Sequence, residues 1–193
     1  MDEDKLLFAI ADVSGKGVQA ALLMANLQAF LQAVVKQNFP LAEATNLIND
    51  LVSGNTTMGS FITFFWGIID DSNNELTFVN AGHNPPLLVR NGEITKLKKG
   101  GMILGVMETV IPYESETVKL QKDDLLILFT DGITEAMNKK LEEYTDERLE
   151  ELVKKLEPIS AQSTLEKIIS DVNIFTGGAE QSDDITCLVI KNC

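Results

Sequence analysis

Three apolar segments of the sequence are each flanked by acidic residues, and these carboxylates are its clearest candidates for chemistry. The segments and their acidic neighbours are Leu6–Ala11 followed by Asp12, Leu125–Thr130 followed by Asp131, and Ile185–Lys191 preceded by Asp183 and Asp184. Each apolar run predicts a buried strand. A charge at the end of a buried strand costs on the order of a few kcal/mol unless something pairs with it. Three such charges therefore indicate a shared cation.

The residue types near these strands favour a hard divalent cation. The chain has one histidine and two cysteines, so carboxylate oxygens are the main ligands on offer. Oxygen ligands suit Mg²⁺ or Mn²⁺, suit Ca²⁺ less well, and suit Zn²⁺ poorly. Two plainer interpretations stay open at this point. Asp131 followed by Gly132 is also typical of a turn, and acidic residues gather in loops for solubility.

Two other phosphate-handling motifs do not match. Ser14–Gly17 resembles the end of a P-loop, but that motif needs glycine in place of Ile10 and Ser or Thr in place of Gly17. Leu128–Thr134 resembles the aspartyl-phosphate motif of haloacid dehalogenase-type phosphatases, but Ile133 occupies the position of its second carboxylate. Neither mechanism is expected.

His83 lies in the loop sequence Ala81–Pro86. A serine or cysteine nucleophile would need a base such as this histidine, but the loop contains neither nucleophile. We therefore expect His83 to order its loop by hydrogen bonding.

Composition narrows the class of protein. A length of 193 residues predicts a single domain with a sizeable core. The net charge of −13 argues against nucleic acid or an anionic membrane as a partner. The two cysteines, Cys187 and Cys193, form no disulfide framework, which fits a reducing cytoplasm. We expect a soluble cytoplasmic protein.

The periodicity predicts an α+β fold with antiparallel sheets. Helices are expected at Val18–Lys36, at Pro40–Val52, at Asp146–Leu156 after an N-cap at Thr145, and from a capping box beginning at Ser163. Hairpins are expected to join Phe61–Ile69 to Leu76–Asn80, Leu87–Arg90 to Glu93–Leu97 through Asn91-Gly92, and Thr117–Leu120 to Leu125–Thr130. The apolar first helix is expected to be buried on more than one side.

Four motifs carry a resemblance to a known family. They are Ala11–Leu22, Asn80–Pro86, Phe129–Ala136 and Ser182–Thr186, in that order. Together they closely resemble the bacterial, SpoIIE/RsbU-like branch of the metal-dependent protein phosphatases (protein phosphatase 2C type), over essentially the whole chain. The resemblance implies an αββα sandwich of two antiparallel sheets flanked by helices, with metals at one end.

The resemblance also implies roles for individual residues. Asp12 corresponds to the carboxylate that bridges two Mn²⁺ or Mg²⁺ ions, and the backbone carbonyl of Val13 to a further ligand. Asp131 and Asp183 correspond to ligands of one of these metals, whereas Asp184 is expected to organise its loop. The implied chemistry is attack on phosphorus by a metal-activated water, without a covalent intermediate.

The resemblance implies partners as well. Relatives act on phosphoserine in small regulatory proteins of the anti-sigma-factor antagonist type, and they usually carry an N-terminal sensor or receiver domain. They also have an earlier strand with a further carboxylate, for which this chain begins too late. We therefore expect a truncated phosphatase domain over residues 1–193 that binds metal weakly, is poorly active, and forms a homodimer through an exposed sheet edge.

Two functions of different classes follow. The leading one is a Mn²⁺- or Mg²⁺-dependent serine/threonine protein phosphatase. The alternative is a phosphatase-fold signalling module that binds a partner without catalysis. Three carboxylates at one rim favour the enzyme, since a pure binding module has no need for them.

Overall fold

The computed structural model describes residues 4–56, 59–156 and 160–193, and these residues divide into two units. One unit contains the chain up to His83 together with Lys98–Lys119, and the other contains Asn84–Leu97 and Leu120–Cys193. The elements in chain order are β1 (Lys5–Val13), α1 (Val18–Val35), α2 (Leu41–Ser53), β2 (Ile62–Asp70), β3 (Glu75–Ala81), β4 (Leu87–Arg90), β5 (Glu93–Lys96), β6 (Gly100–Gly101), β7 (Glu116–Lys119), β8 (Leu125–Phe129), α3 (Asp131–Thr134), α4 (Asp146–Lys154), α5 (Ala161–Thr176) and β9 (Cys187–Lys191).

The first unit is built on a five-stranded sheet with the order β1-β2-β3-β6, in which β7 also pairs with β3. All pairs are antiparallel except the two-residue pairing of β3 with β6. Alternate residues of a strand point to opposite faces. One face of β1 and β2 packs with α1 and α2 in a core that includes Trp66 and Ile48, and the other face carries stacked Phe8 and Phe65.

Helix α1 is more exposed than the sequence predicted. Only Leu23, Leu27 and Val34 are buried, whereas Val18 and Leu22 are 78% and 60% exposed. The expectation that several sides of this helix are buried is therefore wrong: α1 contacts α2 and β1 through a single stripe. Among the described helices, α1 is the one long and apolar enough to cross a membrane by length and composition, which is weak evidence.

Helix α2 holds a long loop in place through its polar side chains. Asn49 donates to the carbonyl of Met107 (3.0 Å) and to Thr109 Oγ1 (2.9 Å), and its Oδ1 accepts from the backbone N–H of Gly105 (3.0 Å). Asn46 Oδ1 accepts from the backbone N–H of Tyr113 (2.9 Å). The loop that follows β6 is thus held by side chains of a helix, in addition to one antiparallel bridge between Leu104 and Ile62 of β2.

The second unit contains a four-stranded antiparallel sheet with the order β5-β4-β8-β9. Helices α4 and α5 bury Leu149 and Ile168 in a core shared with this sheet. Asn91 and Gly92 both have positive φ, 51° and 80°, as a two-residue hairpin turn of type I′ requires. The mixed α+β class with two antiparallel sheets and helices is therefore confirmed.

One predicted hairpin is wrong. Strand β7 pairs with β3, where Thr77 and Thr117 share a hydrogen bond of 2.9 Å, and it does not pair with β8. The reason is that β8 already has β4 on one side and β9 on the other. All five residues of β8 are buried. A fully flanked central strand has no free edge for β7.

The start of α5 also differs from the prediction. The helix begins at Ala161, and its N-cap is Ser160, whose Oγ accepts from the backbone N–H of Ser163 (3.1 Å). Ser163 Oγ accepts a hydrogen bond from Ser160 Oγ (2.9 Å), so Ser163 is not the cap. Thr145 does precede α4, but its side chain caps no backbone N–H.

Candidate functional site

The end of β8 is fastened to the segment that precedes β9. Thr130 Oγ1 donates to the carbonyl of Asp184 (3.1 Å) and accepts from the backbone N–H of Thr186 (3.0 Å). The backbone N–H of Thr130 also donates to the carbonyl of Thr186 (3.1 Å). Thr130 is buried, so leaving these groups unpaired would cost on the order of 1–3 kcal/mol. Asp131, the next residue, is held in a defined position.

Gly132 brings the two segments into close contact. A Cβ at this position would lie 2.3 Å from the carbonyl oxygen of Asp184 and 2.8 Å from its carbonyl carbon. Asp131 followed by Gly132 is typical of a turn in the sequence. In the structure the φ of Gly132 is not positive, and the residue lies with Asp131 at the start of the short helix α3. Glycine is required here by the approach of another backbone.

Asp183 belongs to this same segment and is exposed. Its Oδ1 accepts from the backbone N–H of Asp184 (2.7 Å), and its carbonyl oxygen accepts from Gln181 Nε2 (2.7 Å). These contacts fix the loop around an exposed carboxylate. Asp184 takes part mainly through its backbone, as expected of a residue that organises the loop.

Glu135 is an acidic neighbour that sequence reasoning did not single out. Burial raises the pKa of Glu135 above its usual value, and the charges of Asp131, Glu143 and Asp183 raise it further. Asp131 and Asp183 therefore both lie near the same third carboxylate. The available signal was spacing, because Glu135 lies four residues after Asp131, at the distance that brings two side chains to one face of a helical turn.

These acidic groups fit a divalent cation by their chemistry. Within residues 4–56, 59–156 and 160–193, no lysine or arginine forms an ion pair with Asp131, Asp183 or Glu135. Clustered carboxylates that repel one another and offer only oxygen atoms are suited to Mg²⁺ or Mn²⁺. In the same described residues, no group of three or more His, Cys, Asp or Glu side chains is placed ready to hold a metal.

The repulsion at Glu135 has a measurable consequence in metal-free protein. Because the pKa of Glu135 is higher in the folded than in the unfolded chain, its ionisation favours unfolding. The penalty is absent well below the ordinary value of 4.5 and complete above the raised pKa. We expect Glu135→Gln to raise the free energy of unfolding at pH 7 by up to about 0.5 kcal/mol, since the group is largely exposed. Urea unfolding in EDTA at pH 7 and pH 4 measures this.

A matched control is Glu151→Gln, an exposed glutamate of α4 that faces Lys155 at 3.6 Å. Losing an attractive pair should leave stability unchanged or slightly lower it at pH 7. A decrease in stability for Glu135→Gln at pH 7 would contradict the proposed repulsion.

Asp12 and Val13 end β1 in the first unit, and both are half-buried. The loop after them is anchored to Phe61, whose carbonyl accepts from the N–H of Ser14 (3.0 Å) and whose N–H donates to Ser14 Oγ (2.8 Å). Gly15 then adopts a positive φ of 85°. The structure thus brings Asp131 and Asp183 together in one unit and places Asp12 and Val13 in the other.

His83 orders its loop, as the sequence predicted. Its backbone N–H donates to Asn80 Oδ1 (2.8 Å), and its carbonyl accepts from Asn80 Nδ2 (3.1 Å). The ring is buried, with Nδ1 2.9 Å from Thr63 Oγ1 on β2.

Solved structures share this fold. The PP2C phosphatase domain of SpoIIE from Bacillus subtilis, solved with a fragment of its regulatory domain, superposes with a TM-score of 0.82 at 24% identity. That match covers 97% of this chain and 54% of the SpoIIE chain. RsbX in complex with magnesium superposes with a TM-score of 0.70 at 17% identity, covering 98% of this chain and 82% of RsbX. The architecture is that of PP2C-type phosphatase domains.

The sequence assigns the family. The family model of stage II sporulation protein E (SpoIIE) matches residues 2–192, so this chain belongs to the SpoIIE family. The phosphoserine phosphatase RsbU of Bacillus subtilis is 28% identical over 193 residues, which cover 98% of this chain and 56% of RsbU. The chain thus spans about half the length of RsbU, and its resemblance to the SpoIIE/RsbU-like branch is confirmed.

Proposed function

We propose that this chain is a Mn²⁺- or Mg²⁺-dependent protein phosphatase domain that hydrolyses phosphoserine or phosphothreonine. The observation that carries the proposal is the fastening of Asp131 to the segment of Asp183 through Thr130 and Gly132. That arrangement holds together the two segments that carry Asp131 and Asp183, and no lysine or arginine of the described residues forms an ion pair with either carboxylate. Membership of the SpoIIE family supports the same function, because its relative RsbU is named a phosphoserine phosphatase.

The proposed metal ligands are Asp12, the carbonyl of Val13, Asp131 and Asp183. Bound divalent ions would supply an activated water as nucleophile and screen the charge on the phosphoryl oxygens. The protein's own contribution is to hold the ligands rigidly. Thr130 is buried and makes three hydrogen bonds to the 184–186 segment, and these fix the backbone next to Asp131. Magnesium bound to the structurally similar RsbX supports the choice of ion.

The proposed substrate is a small phosphorylated regulatory protein of the anti-sigma-factor antagonist type, acting in the cytoplasm. Because this chain spans 56% of RsbU, an N-terminal sensor or receiver domain in a longer parent protein is part of the proposal. With a net charge of −13, the chain is not expected to bind nucleic acid. Strand β1 lies at the edge of its sheet, which offers a route to a homodimer.

The first test is metal-dependent hydrolysis of an aryl phosphate, p-nitrophenyl phosphate, by the 193-residue chain. We expect turnover with Mn²⁺ or Mg²⁺ and none in EDTA, because the proposed nucleophile is a water that a bound metal would activate. A phosphoserine protein of the proposed class should then release phosphate under the same conditions. Binding of that protein with no hydrolysis under either metal would contradict the proposal and support a partner-binding module instead.

A further inference from the structure

Asp12 has a defined polar neighbour on β2. In the antiparallel pairing of β1 with β2, Asp12 lies directly opposite Thr63. Side chains of directly opposed residues point to the same face of a sheet, with Cβ atoms about 4.5–5.5 Å apart. Thr63 is therefore the closest cross-strand neighbour of the Asp12 carboxylate.

The face that these two residues share is otherwise apolar. Alternation places Asp12 on the same face as Phe8 and Ile10, which are 7% and 6% exposed. Phe8 stacks on Phe65 of β2 at a centroid distance of 6.4 Å, and Phe65 is two residues from Thr63 on that strand. The hydroxyl of Thr63 lies at the end of this apolar row, so we expect its role to be hydrogen bonding.

Thr63 is in turn held by a rigid, buried group. Its Oγ1 lies 2.9 Å from Nδ1 of His83, and His83 is 3% exposed. Two hydrogen bonds between the Asn80 side chain and the His83 backbone fix the backbone from which the ring extends. Asn80 belongs to β3, where it pairs with Phe65 of β2. Three neighbouring strands thus contribute to one polar row that starts at Asp12.

We propose that Thr63 and His83 are positioning residues for the carboxylate of Asp12, an inference that rests on the proposed function. A hydroxyl has one proton to donate and two lone pairs to accept with. When Nδ1–H of His83 donates to Thr63 Oγ1, the hydroxyl proton is left available for Asp12, the residue directly opposite on β1. Hydrogen bonds of this kind orient a ligating carboxylate, and their loss typically lowers metal affinity by about 10–100-fold.

The test compares Thr63→Val with Thr63→Ser in the full 193-residue chain. Valine keeps the β-branched shape that suits a strand and removes the hydroxyl, whereas serine keeps the hydroxyl. We expect Thr63→Val to weaken Mn²⁺ binding, measured by isothermal titration, by about 10–100-fold. Thr63→Ser should bind Mn²⁺ within about threefold of wild type and keep the Tm of the metal-free wild type. Thr63→Val should lower that Tm, because the buried Nδ1 of His83 loses this hydrogen bond, so Mn²⁺ affinity is compared at a temperature where both variants are folded.

The outcomes separate this inference from the proposed function. Equal Mn²⁺ affinity of Thr63→Val and wild type overturns the positioning role and leaves the phosphatase proposal intact. Mn²⁺ binding that depends on Thr63, in a chain that hydrolyses no phosphate, supports the positioning role and overturns the phosphatase. A wild-type chain that binds no Mn²⁺ overturns both. If Thr63→Val does not fold, Thr63→Ala removes the same hydroxyl with a smaller side chain. Unchanged Mn²⁺ affinity in that variant overturns the inference.

Discussion

Replacing Asp131 with asparagine is expected to lower Mn²⁺-dependent hydrolysis by at least about 100-fold, because a neutral amide is a poor ligand for a hard cation. A loss of that size corresponds to about 2.7 kcal/mol of transition-state stabilisation. The fold should survive, since the backbone carbonyl of Asp131, which asparagine retains, accepts from the backbone N–H of Glu135 (2.8 Å). Steady-state kinetics with p-nitrophenyl phosphate over a range of Mn²⁺ concentrations measure the effect.

Asp184→Asn is the matched control for this substitution. Asp184 lies beside the proposed ligand Asp183, is exposed, and accepts from Thr130 through its backbone carbonyl, which asparagine retains. We expect its rate to stay within about threefold of wild type, since an exposed charge contributes little. If Asp131→Asn kept more than a tenth of the wild-type rate at saturating Mn²⁺, Asp131 would not be a metal ligand. Equal losses in both variants would point to a general charge effect.

Replacing Gly132 with alanine is the second large effect that we expect. The new Cβ would lie 2.3 Å from the carbonyl oxygen of Asp184. Real Cβ atoms do not come so close to backbone, so the end of β8 or the 183–186 segment must move. Overpacking of this kind typically lowers the free energy of unfolding by about 1–3 kcal/mol. Movement of either segment also separates Asp131 from Asp183, so Mn²⁺ affinity should fall together with stability.

Urea unfolding and Mn²⁺ titration of the same sample measure both effects of Gly132→Ala. The matched control is Gly54→Ala at the end of α2, where the added Cβ would meet its nearest atom, the carbonyl oxygen of Asp50, at an ordinary 3.5 Å. Gly54 has a φ of −69°, which alanine adopts without strain, so the control should be neutral or slightly stabilising. Wild-type stability and Mn²⁺ affinity in Gly132→Ala would show that the close approach to Asp184 is not needed.

Much of the fold was predictable because local signals and tertiary structure agree. Asn91-Gly92 specified its hairpin, since both residues adopt the positive φ that few other pairs tolerate. The apolar run before Asp131 specified a buried strand, and β8 is buried along its whole length. The pairing of β7 was not predictable from the nearby turn, because the choice between β3 and β8 depends on β9, which lies more than sixty residues further along the chain.

The candidate site was likewise predictable only in part. Motif spacing singled out Asp131 and Asp183, and the structure fastens their segments together. Motif spacing did not reveal that Thr130 joins these two segments. A threonine at the end of a strand gives no signal until its partner segment is known. Glu135 was missed since its significance lies in the raised pKa, which depends on burial and on charges from three other residues. The exposure of α1 was also beyond prediction, because apolar composition alone does not say how many neighbours a helix has.

The path of the loop that follows β6 and the surface that it presents depend on different residues. The path of that loop is specified by side chains of the helix, such as Asn46 and Asn49, which bond to its backbone. Its own side chains Val110 and Ile111 are 79% and 77% exposed, and they contribute little to its path. Shape and surface chemistry are therefore encoded in different parts of the sequence. Substitutions at Val110 and Ile111 can therefore change the surface that this loop presents, while the hydrogen bonds from α2 keep its course.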